Sequence, residues 1–368
     1  MFLCKTCNAA NGNAFPAGKC YICDDMALKA PEMAARAAEL VGDSPSFSIS
    51  TMIPKDWLAR EEKAWDIRLG GAESIKSHIN RALISALRKG GRVYDGDGEC
   101  RIIFDFSSGK VERSMNEIFV FGRYRKLAAG LSQSRWRCSA CDGKGCAECG
   151  GKGKFYESVE ERIGEPFKQA AGAADYVMHA SGREDVDATN SAGRAFVLEI
   201  KSPATHRIEL EAVASQIGKG GEVSVSDLRI VRRGFAEVVT ESHFDKTYEA
   251  LTEFERPLDE SALGKIRAIE GRTILQQTPN RVSHRRADLV RHRKVKHIEV
   301  VNAAANRATI IVKAEAGTYI KELISGDMGR TNPSVAGELG MKAECKKLEV
   351  TMIDDGYLDF CLESISRT

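Results

Sequence analysis

Residues 181 to 187 read Ser181-Gly182-Arg183-Glu184-Asp185-Val186-Asp187, and a turn then leads into Phe196-Val197-Leu198-Glu199-Ile200. The second stretch is apolar and partly β-branched, which predicts a buried strand. The first sets three acids within four positions just before it. Such carboxylates can share a cation, or they can form an ordinary solvated acidic loop. Working outward, Ile102-Ile103-Phe104, Ile118-Phe119-Val120-Phe121, Ile310-Ile311-Val312 and Leu348-Glu349-Val350 are further predicted strands. Their spacing shows no regular strand–helix alternation. The expected class is therefore α+β, with a mixed or antiparallel sheet in place of a doubly wound one.

Helices are expected where apolar residues recur at helical spacing. Ile75, Ile79, Leu83 and Leu87 form one such stripe, closed by Gly90-Gly91. The Ala-rich residues 26–41 are also expected to be helical, with Pro31 placed where a first turn tolerates it. The chain has 368 residues, enough for two to three domains at roughly 150 residues each. The expected divisions are 1–43, 44–137, 138–153 and 154–368. Hydrophobic residues make up 43% and charged residues 29%, so composition does not impose disorder. With 54 Lys and Arg against 52 Asp and Glu, overall charge selects no partner; only local clustering can. No run of 18 apolar residues occurs, and Met1-Phe2-Leu3-Cys4-Lys5 lacks a signal-peptide layout. A cytoplasmic protein with no membrane partner is expected.

Eight of the 11 cysteines fall in four Cys-x-x-Cys pairs. Paired thiols in a reducing compartment read as metal ligands before they read as bridges. Cys4, Cys7, Cys20 and Cys23 have the spacing of a closed, structural Zn2+ site. Cys138, Cys141, Cys146 and Cys149 form a second set, with Gly143, Gly145, Gly150, Gly151 and Gly153 allowing tight turns. The repeated Cys-x-x-Cys-x-Gly-x-Gly unit resembles the zinc modules of DnaJ-type chaperones. The His-Pro-Asp tripeptide of those proteins is absent.

Two segments concentrate positive charge. Residues 281–296 carry seven Lys/Arg and one acid, including Arg281, His284-Arg285-Arg286 and Arg291. The interleaved Val282, Leu289 and Val295 predict a folded segment suited to a phosphate backbone. Gly122-Arg123-Tyr124-Arg125-Lys126, followed by Gln133 and Arg135-Trp136-Arg137, joins cations to rings, as RNA contacts do. Trp136 taken alone reads as a core residue before it reads as a stacking platform.

Gly182-Arg183-Glu184-Asp185 resembles the motif that carries the catalytic Asp of most pseudouridine synthases. Lys246-Thr247-Tyr248 and Gly317-Thr318-Tyr319-Ile320-Lys321 resemble two further motifs of those enzymes, in the same order. With residues 122–138, Gln277-Thr278-Pro279-x-Arg281-Val282-x-His284-Arg285-Arg286 and Gly326-Asp327-Met328-Gly329-Arg330-Thr331, nearly the whole chain is similar to the tRNA pseudouridine synthase ten family of archaea and eukaryotes.

That resemblance implies an N-terminal zinc-bearing, THUMP-like α/β domain that binds tRNA. It implies a C-terminal pseudouridine synthase domain with a mixed, mainly antiparallel sheet and a central cleft. It implies isomerisation of uridine in the T arm of tRNA, at position 55 and also 54. Asp185 is then the catalytic carboxylate, Lys321 its cation and Tyr248 the ring against the target base. Arg183 would hold the flipped nucleotide, and Leu323 would supply an apolar floor. Arg281, His284, Arg285, Arg286, Arg123, Arg125 and Lys126 would contact the RNA. Lys246 is expected as a solvated helical residue and Tyr319 as a packing residue. The reaction needs no organic cofactor and implies no obligate protein partner. The alternative is a non-catalytic zinc-bearing tRNA-binding protein. A THUMP-type methyltransferase or thiolation enzyme would need a phosphate-binding or Rossmann glycine loop, and none follows a predicted strand.

Overall fold

The computed structural model describes residues 1–67, 72–89, 91–285 and 287–365. The chain divides into a smaller unit built mainly from Met1–Glu117 and a larger one formed by most of the chain from Ile118 onward.

In the smaller unit, helix α1 (Lys5–Ala10) starts directly after Cys4, and α2 (Ala30–Val41) has Pro31 in its first turn. The helices α3 (Lys55–Ile67) and α4 (Ile75–Arg88) follow. Ser74 caps α4 by accepting a hydrogen bond from the Ser77 amide at 3.1 Å. The stripe Ile75, Ile79, Leu83 and Leu87 is buried, as its four-residue spacing requires. Strands β1 (Ser46–Met52), β2 (Val93–Tyr94), β3 (Cys100–Asp105) and β4 (Lys110–Met115) form a sheet in the order β2-β1-β3-β4. β1 is parallel to β2 and β3, and β4 closes the sheet antiparallel to β3.

The larger unit is built on one extended sheet. Its strands are β5 (Ile118–Lys126), β6 (Asp175–Ala180), β7 (Thr189–Lys201), β8 (Val223–Val231), β9 (Lys246–Phe254), β10 (Thr273–Gln277), β11 (Val290–Ala304), β12 (Arg307–Ala314), β13 (Thr331–Asn332) and β14 (Ala343–Ile353). They run in the order β13-β10-β11-β12-β9-β14-β7-β5-β8, with β6 also on β7. The pairs from β13 to β14 are antiparallel, as are β7/β5 and β5/β8. β14 and β7 are parallel, paired at Glu349 with Thr189 and at Val350 with Asn190. Strand spacing left a mixed or an antiparallel sheet open; the sheet that forms is mixed and mainly antiparallel, as the family resemblance implies. Helices α5 (Val159–Ala171), α6 (Leu210–Gly218), α7 (Phe235–Glu241), α8 (Glu260–Arg267), α9 (Ile320–Ser325), α10 (Val335–Leu339) and α11 (Gly356–Ile365) complete the unit.

The boundary between units falls at Glu117/Ile118, ahead of the division read at 137/138. β5 is the reason: it lies between β7 and β8, so its residues belong to the large sheet. Among the described residues, no helix is long and apolar enough to cross a membrane.

Candidate active site and two cysteine clusters

The parallel junction of β7 and β14 brings together the pieces of the acidic motif's surroundings. The 181–188 loop leads into β7, and a hydrogen bond from the Ala188 amide to the Asp185 carbonyl at 3.2 Å closes a turn. β9 lies on the other side of β14, with Tyr248 opposite Val312 of β12 and Val350 of β14. Strand alternation places Lys246 and Tyr248 on one face, and both are buried. A cavity of about 670 Å3 opens here, within the roughly 300–1,000 Å3 usual for small-ligand sites. Arg183, Asp185, Tyr248, Arg281, Lys321 and Leu348 are among its lining residues.

Asp185 meets two cations. Arg281 Nη1 lies 2.8 Å from Oδ1, and Lys321 Nζ lies 3.7 Å from Oδ2. Lys321 is closer to Asp187, with both carboxylate oxygens at 2.6 Å. Partial burial pushes the Asp187 carboxyl up, but the Lys321 ammonium prevails and holds it below the ordinary carboxylate range. Arg281 is itself fixed by buried Glu322, whose Oε1 accepts from Nε at 2.7 Å. Arg281 thus acts as the nearer partner of Asp185, a role that its place in a basic run did not signal.

The other motifs converge on the same place. Asp327 accepts from the Asn280 amide at 3.0 Å, and Arg330 donates to the Thr278 carbonyl at 2.7 Å. The Gly326–Thr331 motif therefore holds the turn that delivers Arg281. The Tyr319 backbone is held by Gln276 through two 2.9 Å hydrogen bonds. Its ring lies about 6 Å from the guanidinium groups of both Arg281 and Arg291. Burial pushes the Tyr248 phenol up to about 12, so its hydroxyl stays protonated at neutral pH.

Several sequence expectations meet a different structure. Lys246 begins strand β9 instead of a helix and lines the cavity; burial pushes its ammonium down to about 8. Leu323 is enclosed in the core around α9, while Ile320, Leu348 and Val350 form the apolar cavity wall. Trp136 is exposed and packs against Tyr156, with ring centroids 6.3 Å apart. The cations at 123–126 are engaged within the protein. Arg123 is held by Asp355 and by Asp359 at 2.9 Å. Lys126 has no exposed surface, because its ammonium is drawn inward by backbone carbonyls of the 181–188 loop. Arg125 is exposed and donates to the Ser191 carbonyl at 3.0 Å. Arg183 is exposed at the cavity. Arg286 and the side chains of His284 and Arg285 lie outside the described residues.

Beneath the loop is a buried ionic pair that sequence reading missed. Arg194 Nε lies 2.8 Å from Glu184 Oε2, and both side chains are buried. Tyr124 donates to the same carboxylate at 2.9 Å. Removing one partner strands a buried charge, which typically costs about 3–5 kcal/mol. Arg194→Met should therefore lower unfolding stability by about that amount, read as a fall in the urea midpoint at constant m-value. A midpoint within error of wild type would refute this role.

The two cysteine clusters are distinct from the cavity. In each, the four Sγ atoms lie within 4.8 Å of one another, and no disulfide forms. Four sulfurs about 2.3 Å from one tetrahedral ion would lie about 3.8 Å apart. The first set shows separations of 3.4 and 3.6 Å, the second 3.8 to 3.9 Å. In the second, the Gly145 amide donates to Cys141 Sγ at 3.2 Å, and the amides of Cys146 and Gly153 donate to Cys149 Sγ at 3.2 and 3.1 Å. Gly145 and Gly153 are obligatory there. Both have positive φ, and a Cβ would approach a carbonyl oxygen to 2.5 and 2.3 Å respectively. Both sets fit a metal ion.

The family model described as "Pus10, C-terminal" matches residues 119–354. A protein named tRNA pseudouridine synthase Pus10 from Methanothrix thermoacetophila is 42% identical over 77% of this chain, which spans 64% of that relative's length. One of the same name from Korarchaeum cryptofilum is 37% identical, covering 90% of this chain and 92% of that one. Among solved structures, a chain in the crystal structure of a Cbf5-Nop10-Gar1 complex is 20% identical, with a TM-score of 0.33 over 51% of this chain and 43% of that one.

Proposed function

The chain belongs to the Pus10 family of tRNA pseudouridine synthases, and on that premise we propose that it isomerises uridine 55, and also uridine 54, in the T arm of tRNA, with Asp185 as the catalytic carboxylate. The observation that carries the reading is the placement of Asp185 in a cavity, between Arg281 and Lys321.

Pseudouridine formation breaks the N1–C1′ bond, turns the uracil, joins C5 to C1′ and releases the C5 proton, while the freed N1 takes up a proton, so that the product is an isomer of the substrate. The carboxylate either attacks C1′ or removes the C2′ proton; both routes need it ionised. Arg281 and Lys321 place two positive charges beside it. The neutral Tyr248 ring and the wall of Ile320, Leu348 and Val350 offer the extruded uracil an apolar surface. Extrusion costs a few kcal/mol, which RNA contacts made by Arg183 and the 281–296 segment offset. The cysteine clusters take a structural Zn2+ each, through Cys4, Cys7, Cys20 and Cys23 and through Cys138, Cys141, Cys146 and Cys149. The closed S4 donor set suits zinc and leaves no open position for chemistry. The smaller unit acts as the THUMP-like tRNA-binding part.

The test is pseudouridine mapping on an unmodified tRNA transcript, by carbodiimide adduct and primer extension. Stops at T-arm uridines are expected. tRNA bound without any stop would favour a binding-only protein. Affinity should fall steeply with salt, since each released counterion contributes to the slope. A salt-independent dissociation constant would argue against phosphate contact by residues 281–296.

A further inference from the structure

We propose that Lys126 is a positioning residue for Asp185, acting from inside the protein on the backbone of the carboxylate loop. The inference rests on the reading of Asp185 given above. Lys126 closes β5 and has no exposed surface. Its Nζ donates to the Asp185 carbonyl at 2.9 Å and to the Val186 carbonyl at 2.8 Å. In extended chain, successive carbonyls point in opposite directions, and one donor does not reach both. Two consecutive carbonyls on one ammonium thus impose the turn from which the Asp185 side chain projects towards Arg281.

Other buried groups hold the same loop from the same side. Gln133 Nε2 donates to the Gly182 carbonyl at 2.7 Å, and Arg194 Nη1 to the Ser181 carbonyl at 2.9 Å. Tyr124, two residues before Lys126 on the same strand face, holds Glu184. Lys126 is the member of this scaffold that touches the residue carrying the carboxylate. It is also a buried cation: burial depresses its basicity, opposed by the nearby charges of Glu184, Asp187 and Asp185. Its role therefore has two separable parts, a donor to carbonyls and a positive charge behind the carboxylate.

Lys126→Met removes both parts while keeping much of the side-chain volume. Lys126→Gln keeps a donor and loses the charge. Single-turnover pseudouridine formation, tRNA affinity, melting temperature and the acidic limb of the pH–rate profile are measured for both, beside wild type and Asp185→Asn. The Met variant should lose about 100-fold in rate, the scale of a 1 Å misplacement. Its tRNA dissociation constant should stay within about threefold of wild type, a change in ΔG below one tenfold step. The acidic limb should move to higher pH, because loss of a nearby cation disfavours the carboxylate. Gln should recover part of the rate but keep the shifted limb. A merely structural role would lower the melting temperature and leave both the limb and the rate per folded molecule unchanged; that result overturns the proposal. If the Met variant does not fold, a Gln variant with wild-type rate and limb overturns it equally. Inactive wild type, or fully active Asp185→Asn, would instead overturn the reading of Asp185.

Discussion

Asp185→Asn should reduce single-turnover pseudouridine formation by on the order of 10⁴-fold, the scale seen when a carboxylate central to a catalytic group is neutralised. Asn is close to isosteric and retains an oxygen for the 2.8 Å contact from Arg281. It offers neither a nucleophile for C1′ nor a base for C2′. The substitution also removes a negative charge from between two cations, so tRNA should bind at least as tightly as to wild type. That combination, lost chemistry with kept binding, separates a catalytic role from a fold defect. Asp187→Asn is the necessary companion. Asp187 holds Lys321 at 2.6 Å and is largely exposed, so its loss should free Lys321 towards Asp185 and cost far less. An inactive Asp187→Asn beside an active Asp185→Asn would move the catalytic role two residues along the chain.

Replacing Cys4 and Cys20 together by Ser should unfold the smaller unit. Structural zinc sites contribute apparent binding free energies of about 10–16 kcal/mol, comparable to or above the stability of a whole domain. The four thiols sit within the unit's main core, beside Leu3, Ile22 and Ala27. Metal analysis should fall from two zinc ions per chain to one, and limited proteolysis should cut within residues 1–117 while the larger unit persists. Replacing Cys138 and Cys149 should also lose one zinc, with cleavage confined to the glycine-rich turns around 138–153. The first cluster is entirely buried and the second only in part, so the larger loss belongs to the first. Wild-type protein purified without zinc, yet folded and resistant to protease, would overturn both expectations.

The elements readable from sequence share a physical cause: their patterns reflect a local period. The stripe from Ile75 to Leu87 became α4, and the runs at 102–104, 118–121, 196–200, 310–312 and 348–350 all lie in strands. The cysteine spacings were equally legible, because a Cys-x-x-Cys knuckle is local and the sulfurs then meet. The motif residues Asp185, Tyr248 and Lys321 do line one cavity, although 63 and 136 positions separate the later two from the first.

Where the reading from sequence failed, the deciding contact was long-range. Lys126 and Arg123 look like a surface patch beside Tyr124. β5 instead runs between β7 and β8, so Lys126 turns to loop carbonyls some 60 residues later, and Arg123 to acids at Asp355 and Asp359. Arg281 resembles its basic neighbours until Glu322 and Asp185 are seen around it. Leu323 went to the core and Leu348 to the cavity, because a six-residue helix and a strand present different faces there. Sequence by itself determined the strongly patterned helix α4 and the five apolar strand runs, which thiols cluster and which acids are candidates, since those properties depend on neighbours along the chain. Lys246, expected in a helix, instead took its place in strand β9 from the strands paired beside it. Only the tertiary structure decided which cation holds Asp185 and which lysine is buried behind it, since a charge takes its role from the groups that packing sets against it.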